Sequence, residues 1–422
     1  MSNHGRVDGA GPRVVITGVG AITPLGLTWR DSWQAMLEGR SAVRPVTHFD
    51  ASGYPTRIAA LVKEFDPRQY MDHKEAKRIG RVTQFAWAAT QEAIANARLD
   101  LKVEDPDRLG VEIGSAFGAM DVLEEQSYVL REQGPRRINP TVAPAVLVST
   151  TPCFVAIQIG AQGPVDSQVA ACASGIVSLG EAARRLQRGE VDVMIAGGAD
   201  AYASPLILAA FSRLGAMSTR NDEPERACRP FDRTRDGMVL GEGAVVMVME
   251  TLEHALARGA TILAEFGGYG LTSDAHHLAA PEPSGRGAAR AMTRALAESG
   301  LPAEAVDYIC AHGTGTQLND SAETMAIKHA LGEAAYKTAV SSIKSMVGHT
   351  MGAAGAVSAA TLVQAICEGI VPPTINYQEP DPECDLDYVP NEARRMPVDV
   401  AMCNAFGFGG QNASLLLKRF VP

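Results

Sequence analysis

The stretch that decides the fold is Val169-Ala170-Ala171-Cys172-Ala173-Ser174-Gly175, which stands directly before residues 176–188, a segment of helical periodicity. After Gly189, residues 191–198 have the pattern of a buried strand that ends in glycines. The spacing therefore predicts that Cys172 lies at a helix N-terminus. Unpaired N–H groups and the helix dipole favour the thiolate there, and the thiolate is the nucleophilic form of cysteine. Position alone does not assign catalysis, because most cysteines are small buried apolar side chains.

The rest of the chain alternates strand-like and helix-like segments, which predicts an α/β fold. The predicted strands include 14–18, 109–113, 244–250, 262–269, 306–311 and 413–418, and the predicted helices include 32–38, 82–98, 252–258, 287–299 and 353–368. The two halves of the chain show no residue-level repeat. No Pro/Ser-rich linker separates them, so one compact body is expected.

Composition narrows the function classes. The chain has 422 residues, 46% hydrophobic and 20% charged, which supports a large core and excludes a disordered chain. The net charge of −10 argues against a general nucleic-acid binder. The seven cysteines lack zinc-type spacing, which fits a reducing cytoplasm. No uninterrupted apolar run reaches the roughly 18 residues that a membrane span needs, and the polar start lacks a signal-peptide core.

Two downstream segments place histidines in glycine-rich loops. The first is Ala311-His312-Gly313-Thr314-Gly315-Thr316, followed by Glu323, and the second is Lys344-Ser345-Met346-Val347-Gly348-His349. A last glycine-rich turn is Phe406-Gly407-Phe408-Gly409-Gly410. With the Cys172 segment, and in this order, these motifs resemble those of the β-ketoacyl-(acyl-carrier-protein) synthases of the thiolase superfamily, particularly the synthase II type. The resemblance extends from residue 13 through residue 410.

The resemblance implies a fold and a division of the chain. Members of this family have an α-β-α-β-α sandwich of five layers, built from two similar halves that each contain a five-stranded sheet. We therefore expect a flexible tail at residues 1–12, a first half at 13–260 with the nucleophile, and a second half at 261–422 with both histidines.

The resemblance also implies a reaction, the decarboxylative Claisen condensation of an acyl group with malonyl-carrier protein in fatty-acid elongation. Cys172 would hold the acyl group, and His312 and His349 would donate hydrogen bonds to the enolate oxygen. Lys344, paired with Glu323, would balance charge and orient the site. The N–H groups of Phe408 and Cys172 would form the oxyanion hole, and the Phe408 ring would close over the sulfur.

Further residues are expected to bind substrate. Thr314 and Thr316 would bond the amides of the phosphopantetheine arm. The other expected substrate contacts are Asp274, Phe406 and Gly409, where backbone would approach the ligand closely. Phe117 matches the family position at the end of the acyl pocket, so its rigid ring would favour short or medium acyl chains. We expect no metal and no permanently bound cofactor, since the carrier protein supplies the phosphopantetheine.

Basic residues suggest where an acidic carrier protein would dock. Four of them recur at helical spacing and three more lie elsewhere; they are Lys74, Lys77, Arg78, Arg81, Arg136, Arg137 and Arg220. A run of charge is also what any solvated face shows. The resemblance further implies a homodimer.

Three alternatives stay open at this stage. Ala170 stands where fatty-acid members commonly have threonine, and Asp381-Pro382-Glu383-Cys384-Asp385-Leu386-Asp387-Tyr388 is similar to type II polyketide ketosynthases, whereas Gly409-Gly410-Gln411-Asn412 is closer to the fatty-acid type. A polyketide or polyene ketosynthase would pair with a chain-length-factor-like subunit instead of itself. A thiolase would need a second cysteine as base, and a catalytically inactive partner subunit would lack Cys172.

Overall fold

The computed structural model describes residues 11–201 and 204–422, so the predicted tail lies almost entirely outside the described residues. The strands are β1 Val14–Ile22, β2 Arg44–Pro45, β3 Ile58–Ala59, β4 Leu109–Gly114, β5 Val165–Asp166, β6 Val193–Asp200, β7 Gly243–Thr251, β8 Ala264–Ser273, β9 Tyr308–Cys310, β10 Ala339–Ser341, β11 Ile370–Val371, β12 Arg394–Arg395, β13 Val400–Gly407 and β14 Gln411–Lys418. The helices are α1 Trp29–Leu37, α2 His73–Ala76, α3 Arg81–Ala97, α4 Met120–Gln133, α5 Val142–Ala145, α6 Thr150–Ile159, α7 Ser174–Gln187, α8 Pro205–Arg213, α9 Leu252–Ala257, α10 Arg286–Ser299, α11 Gln317–Leu331, α12 Lys344–Val347 and α13 Ala354–Glu368.

Ten strands are hydrogen-bonded side by side in the order β10-β9-β13-β14-β8-β1-β7-β6-β4-β5. In the first set, β5, β4 and β6 are parallel, and β6, β7 and β1 are antiparallel. The second set repeats this pattern, with β10, β9 and β13 parallel and β13, β14 and β8 antiparallel. Each set has the same chain order across the sheet, and the two sets meet where β1 pairs with β8. The duplication is therefore visible in the topology although the sequence shows no repeat.

Helices form three layers around the two sets of strands. α7 and α13 lie in the middle, contacting each other and strands of both sets. α3 and α6 cover the outer face of the first set, and α10 and α11 lie on the outer side of the second. This is the five-layer α-β-α-β-α sandwich that the sequence predicts. The division at residues 260 and 261 stays a prediction; it would separate the two sets of strands.

The close crossing of α7 and α13 brings the functional loops together. A Cβ on Gly175 would lie 2.8 Å from the Ala356 nitrogen, and one on Gly355 would lie 2.7 Å from the Ile176 nitrogen. Because these positions have no side chain, the two helix backbones pack against each other near their N-termini. The turn that contains Cys172 therefore lies beside the turn that precedes α13.

One helical stretch passes a length and composition test for a membrane span. It covers Met351–Glu368, 18 residues with a mean hydropathy of 1.3, and 83% of it is buried inside the protein. The search for uninterrupted apolar runs missed it because serine, threonine and glutamine interrupt the stretch. Core helices pass the same test, and α13, which makes up most of this stretch, lies in the middle layer.

Candidate active site

Cys172 lies at the inner end of a cavity of about 690 Å³. It is in a single 3₁₀ turn, Ala171–Ala173, that leads into α7, and it is 5% exposed. Ala171 has a φ of 48°, a left-handed conformation that is uncommon for alanine. The Ser174 hydroxyl holds this turn by accepting the Ala170 N–H at 2.9 Å and donating to the Ala171 carbonyl at 2.7 Å. The local structure therefore aims the sulfur into the cavity.

His349 is the nearest titratable partner of the sulfur, with its Nε2 3.1 Å from Cys172 Sγ. The backbone N–H of Met351 donates to His349 Nδ1 at 3.1 Å, so the proton of the neutral ring lies on Nε2 and faces the sulfur. Burial, followed by the Lys344 charge, lowers the pKa of His349 well below its usual value. His349 is thus a neutral hydrogen-bond donor.

His312 completes the group. Its ring lies edge-on to His349 with centroids 5.3 Å apart, and it packs against Phe406 at 5.6 Å. Its pKa is lowered well below the usual value by burial, then by Lys344 and His349. Two neutral imidazoles and a sulfur therefore meet in the cavity, so the three residues named by the resemblance do lie together, and their catalytic roles stay a prediction.

Glu323 and Lys344 are both buried near this group, but the structure corrects their expected pairing. No ion pair joins the two side chains. Glu323 instead accepts the backbone N–H groups of His312 at 2.8 Å and Gly313 at 2.7 Å. Burial raises the pKa of Glu323 to about 7 and lowers the pKa of Lys344, which is 2% exposed. Glu323 thus positions the His312 loop, and Lys344 acts on the group through its field.

The expected thiolate needs a correction as well. Burial raises the pKa of the Cys172 thiol to about 11, although the Lys344 charge and the N–H groups of Phe408 and Cys172 itself pull it down. The sequence argument counted the helix N-terminus and omitted desolvation, which here dominates. Burial therefore favours the neutral thiol over the thiolate.

The same two N–H groups fit the expected oxyanion hole, because both point at the sulfur. The Phe408 ring is 36% exposed at the cavity wall and stacks on Phe211 at 6.0 Å. Phe211 in turn meets Phe117 edge-on at 6.2 Å. Phe117 packs against the same apolar cluster as Cys172, which is where an acyl pocket would lie. Sequence reasoning missed Phe211 because its helix, α8, has no motif.

The five expected substrate contacts all line the cavity; they are Thr314 and Thr316, predicted for the phosphopantetheine amides, and Asp274, Phe406 and Gly409. The hydroxyls of Thr314 and Thr316 are 2.9 Å apart, and Thr316 also caps α11. Asp274 accepts from the Asn412 side-chain amide at 2.7 Å. Gly409 has a φ of 84° and donates to the Leu278 carbonyl at 2.7 Å, which ties the last glycine turn to the rim of the cavity.

The expected basic patch is only partly present. The four basic residues from Lys74 to Arg81 do not lie on one helix, because α2 ends at Ala76 and α3, capped by Gly80, begins at Arg81. The Arg81 side chain turns inward to Glu242 at 3.0 Å and covers the Phe85 ring, so it belongs to the core packing. Arg220 is half-buried and faces Asp236 at 3.6 Å. The exposed members are Lys74, Lys77, Arg78, Arg136 and Arg137.

The cysteines and possible metal ligands bear on the alternatives. Of the seven free cysteines, Cys172 alone lines the cavity, so the structure offers no second cysteine as a thiolase-type base. The sulfur and one nitrogen of each histidine lie within 4.8 Å of one another, and these are ligand types that zinc accepts. The expectation that the site uses no metal stays a prediction.

Comparison with known proteins agrees with this geometry. Models of the β-ketoacyl synthase N-terminal domain and C-terminal domain match residues 12–255 and 263–378. The 3-oxoacyl-(acyl-carrier-protein) synthase 2 of Synechocystis sp. is 50% identical over 408 residues, 97% of this chain and 98% of the relative.

Two solved structures are also similar over nearly the whole chain. The AntDE:AntF structure, a type II polyketide acyl-carrier protein in complex with its ketosynthase bound to a hexaketide, has a TM-score of 0.90 at 33% identity and covers 97% of this chain and 100% of that chain. The ishigamide ketosynthase/chain length factor has a TM-score of 0.90 at 37% identity, with 98% and 100% covered. The chain belongs to the β-ketoacyl synthase family.

Proposed function

We propose that the protein is a 3-oxoacyl-(acyl-carrier-protein) synthase that condenses an acyl group with malonyl-carrier protein in fatty-acid elongation. The observation behind this proposal is the meeting of one sulfur and two neutral imidazoles in one cavity. The curated relative with 50% identity bears this activity in its name. The enzyme is an acyltransferase that works through a covalent intermediate.

In the first half-reaction, Cys172 takes the acyl group from the carrier protein. The sulfur attacks the thioester carbonyl and the new carbon–sulfur bond forms. The N–H groups of Cys172 and Phe408 then stabilise the tetrahedral oxyanion. The carbonyl reforms as the phosphopantetheine sulfur leaves with the thiol proton. Because the thiol pKa is about 11, proton departure and attack are expected to be coupled.

In the second half-reaction, the carrier protein inserts its malonyl-loaded phosphopantetheine arm into the cavity. Its carbon–carbon bond to the carboxylate breaks, carbon dioxide leaves, and the electron pair forms an enolate. The Nε2–H groups of His312 and His349 stabilise the enolate oxygen, which neutral imidazoles can do without a second positive charge beside Lys344. The enolate carbon attacks the acyl carbonyl, and the Cys172 sulfur departs as a thiolate, which takes a proton from solvent water to restore the resting thiol.

One experiment tests the nucleophile and the reaction together. Incubation with acyl-carrier protein and mass spectrometry should place one acyl group on Cys172. Added malonyl-carrier protein should then release the 3-oxoacyl product, with or without prior treatment by a chelator. The Cys172→Ala variant should keep malonyl decarboxylation and lose condensation. Acylation of another residue would contradict the assignment, and loss of activity on chelation would show that a metal is needed.

The partners follow from the substrates. We propose that an acidic acyl carrier protein docks near the exposed basic residues and inserts its phosphopantetheine arm. Because the carrier protein brings this arm, we propose that the enzyme needs no resident cofactor. We also propose that the enzyme works in the cytoplasm.

We also propose a homodimer. A light-scattering mass of only 44.6 kDa, that of one chain, would contradict the dimer.

The docking surface for the carrier protein has its own test. Charge reversal at Arg136 and Arg137 should raise KM for the carrier protein and leave kcat unchanged.

A ketosynthase of a type II polyketide or polyene pathway is the second candidate. The two solved structures with TM-scores of 0.90 favour it, since one is a type II polyketide complex and the other includes a chain length factor. The two candidates differ in what the purified protein does alone. A fatty-acid synthase should elongate acyl-carrier proteins without another subunit, whereas the polyketide type should need a chain-length-factor-like partner.

Phe117 is proposed to limit the acyl chain length. Its ring lies in the apolar cluster that contains Cys172 and packs edge-on against Phe211. Phe117→Ala should therefore raise kcat/KM for long acyl chains relative to short ones by about 10-fold, the lower end of what one methylene in a hydrophobic pocket is worth. Assays with acyl-carrier proteins of graded length measure this ratio. Wild-type protein that already extends long chains as readily as short ones would disprove the limit.

A further inference from the structure

Asp200 is a buried carboxylate that the mechanism above does not use. It lies at the end of β6 and is fully buried. Its Oδ1 accepts from the Ser115 hydroxyl at 2.6 Å and the Phe117 N–H at 3.3 Å, and its Oδ2 accepts from the Ala116 N–H at 3.0 Å and the Gly352 N–H at 2.6 Å. No cationic side chain of the described residues forms an ion pair with Asp200. Four donors from two other segments thus hold one carboxylate.

The first of these segments is the turn Met351–Ala353 that follows His349. Its Met351 N–H fixes the tautomer of His349, and its Met351 Sδ lies 3.8 Å from Cys172 Sγ. A Cβ on Gly352 would lie 2.6 Å from Asp200 Oδ2. The turn therefore approaches the carboxylate as closely as its backbone permits, and the contact is built into the wall beside the nucleophile.

The second segment is the loop at residues 115–118, between β4 and α4. The Ser115 hydroxyl that donates to Asp200 also accepts the Gly118 N–H at 3.0 Å, so the whole loop is ordered around the carboxylate. The loop contains Phe117, and the Phe117 ring meets Phe211, which stacks on Phe408. This segment therefore sets the far wall of the apolar cluster around the sulfur.

We propose that Asp200 is a positioning residue that couples the acyl-pocket loop to the histidine turn, so that the pocket and the nucleophile keep a fixed spacing. An acceptor-only group with two oxygens is needed for four donors, and an amide or hydroxyl at this position could not satisfy them. Burying a carboxylate without a cation is costly, so mere packing does not explain its presence. The inference rests on the proposed function for its turnover assay only.

The charge of Asp200 adds a second, independent readout. The titratable groups around the Cys172 sulfur are Lys344, His312, His349 and Asp200. Burial raises the pKa of Asp200 to about 6, so it is ionised at neutral pH, and its charge raises the pKa of the Cys172 thiol. Replacing Asp200 with asparagine removes that charge and turns one acceptor into a donor that faces an N–H group.

The test is Asp200→Asn with two measurements. The pH profile of Cys172 alkylation by iodoacetamide, followed by mass spectrometry of the Cys172 peptide, should move to lower pH. The kcat for condensation should fall on the order of 10- to 100-fold, as expected when reacting groups shift by a fraction of an ångström to an ångström. The preference among acyl chain lengths should broaden as well. An unchanged alkylation profile with wild-type kcat overturns the proposal.

Two further variants separate positioning from general stability. Glu92→Gln alters a half-buried carboxylate that also accepts backbone N–H groups, from Ala21 and Trp29, and does not line the cavity. It should lower thermal stability without moving the alkylation profile; equal behaviour of Asp200→Asn overturns the proposal. Ser115→Ala removes one of the four bonds and keeps the charge, so it should lower kcat and leave the alkylation profile in place.

Ser115→Ala also decides the matter if Asp200→Asn does not fold. A Ser115→Ala enzyme with wild-type kcat and chain-length preference would then overturn the proposal. Alkylation needs no carrier-protein substrate. If the wild-type protein alkylates at Cys172 and yet never condenses, the proposed function fails, and the shift of the alkylation profile still tests the role of Asp200.

Discussion

Two buried clusters of ionisable side chains in this molecule respond to burial in opposite ways. The catalytic cluster contains Cys172, His312, His349, Lys344 and Glu323, and burial moves the pKa of each toward the neutral form. The second cluster, which we call the clasp, contains Thr17 of β1, Glu104, Glu250 of β7, His254 of α9 and Arg258. In the clasp the charges are paired, and the pKa values move toward the charged forms.

Glu250 is the centre of the clasp and is fully buried. Arg258 donates to its carboxylate at 2.5 and 2.7 Å, His254 bonds it at 2.7 Å, and the Thr17 hydroxyl donates as well. His254 reaches Glu104 at 2.9 Å with its other nitrogen. Burial alone would raise the pKa of Glu250, but these bonds outweigh it and hold the pKa at about 2. The Glu250 bond raises the pKa of His254, helped by the charge of Glu104.

The comparison shows how burial changes the pKa of an ionisable group with an oppositely charged partner and of one without such a partner. In the clasp, each charge meets an opposite charge or a hydrogen-bond donor, so the group stabilises the fold. In the catalytic cluster the nearest charges are Lys344 and Asp200, neither of which contacts the sulfur in an ion pair. The cluster therefore keeps neutral donors ready for charge that appears only during the reaction. Removing a clasp residue should cost stability, and removing a catalytic residue should cost turnover.

The largest effect is expected for Cys172→Ala. Condensation should fall by roughly 10⁶-fold, the loss seen when a covalent nucleophile is removed. The melting temperature should change little, because the lost sulfur is one small group of the apolar cluster and forms no ion pair. Steady-state condensation and thermal unfolding measure the two quantities. A clear drop in melting temperature would break the comparison, since the site would then contribute to stability like the clasp.

The second effect is expected for Glu250→Gln. Removing the charge of Glu250 leaves Arg258 without its carboxylate partner and His254 with Glu104 alone, which costs about 3–5 kcal/mol of unfolding free energy. The kcat of the folded enzyme should not change. Urea unfolding gives the free energy, and Glu253→Gln on the exposed side of α9 is the matched control, expected within about 0.5 kcal/mol of wild type. Equal stability of the two variants would show that the clasp pairs contribute nothing.

The third effect concerns the two catalytic histidines. His312→Ala and His349→Ala should each cost about 2.7–4 kcal/mol of transition-state stabilisation, the value of one lost oxyanion donor. Malonyl decarboxylation should suffer more than single-turnover acylation of Cys172. The exposed His329→Ala is the control and should keep wild-type rates. Normal decarboxylation in both histidine variants would refute the assigned roles.

Part of this comparison could be predicted from the sequence. The motifs around Cys172, His312 and His349 resemble those of the β-ketoacyl synthases, and that resemblance implied that the three residues meet. The α/β alternation predicted the fold class. The strand predicted at 14–18 continues to Ile22, since Gly18 and Gly20 lie against α3, where a Cβ would clash with backbone of that helix.

What the sequence could not predict depends on packing in three dimensions. The thiol pKa depends on desolvation, which no local pattern reports. The helical spacing of Lys74 to Arg81 looked like one basic face, but Gly80 starts a new helix and turns Arg81 inward. The clasp joins residues 17, 104, 250, 254 and 258, of which only the last three are neighbours in sequence. Asp200 could have been noticed as an acidic residue at the end of a buried strand.

The smallest effect is the pH dependence of the unfolding free energy, which should have opposite signs for His254 of the clasp and for the catalytic histidines. The pKa of His254 is raised in the fold, so its contribution to stability is complete below the unfolded value of 6.5 and is lost as pH rises through the folded pKa. The pKa of Glu250 is lowered, so its contribution is complete above 4.5 and is lost as pH falls toward 2. His254→Gln should therefore cost about 1.5–3 kcal/mol near pH 5.5 and less at pH 9.

The catalytic histidines should show the reverse dependence. Their folded pKa values are lowered, so the folded state binds fewer protons than the unfolded state, and they reduce stability as pH falls below 6.5. The stability of His349→Ala relative to wild type should therefore be higher at pH 5.5 than at pH 9. Urea unfolding at the two pH values gives both differences. If His254→Gln and His349→Ala moved in the same direction, burial would act alike on the two clusters, and the distinction between paired and withheld charge would fail.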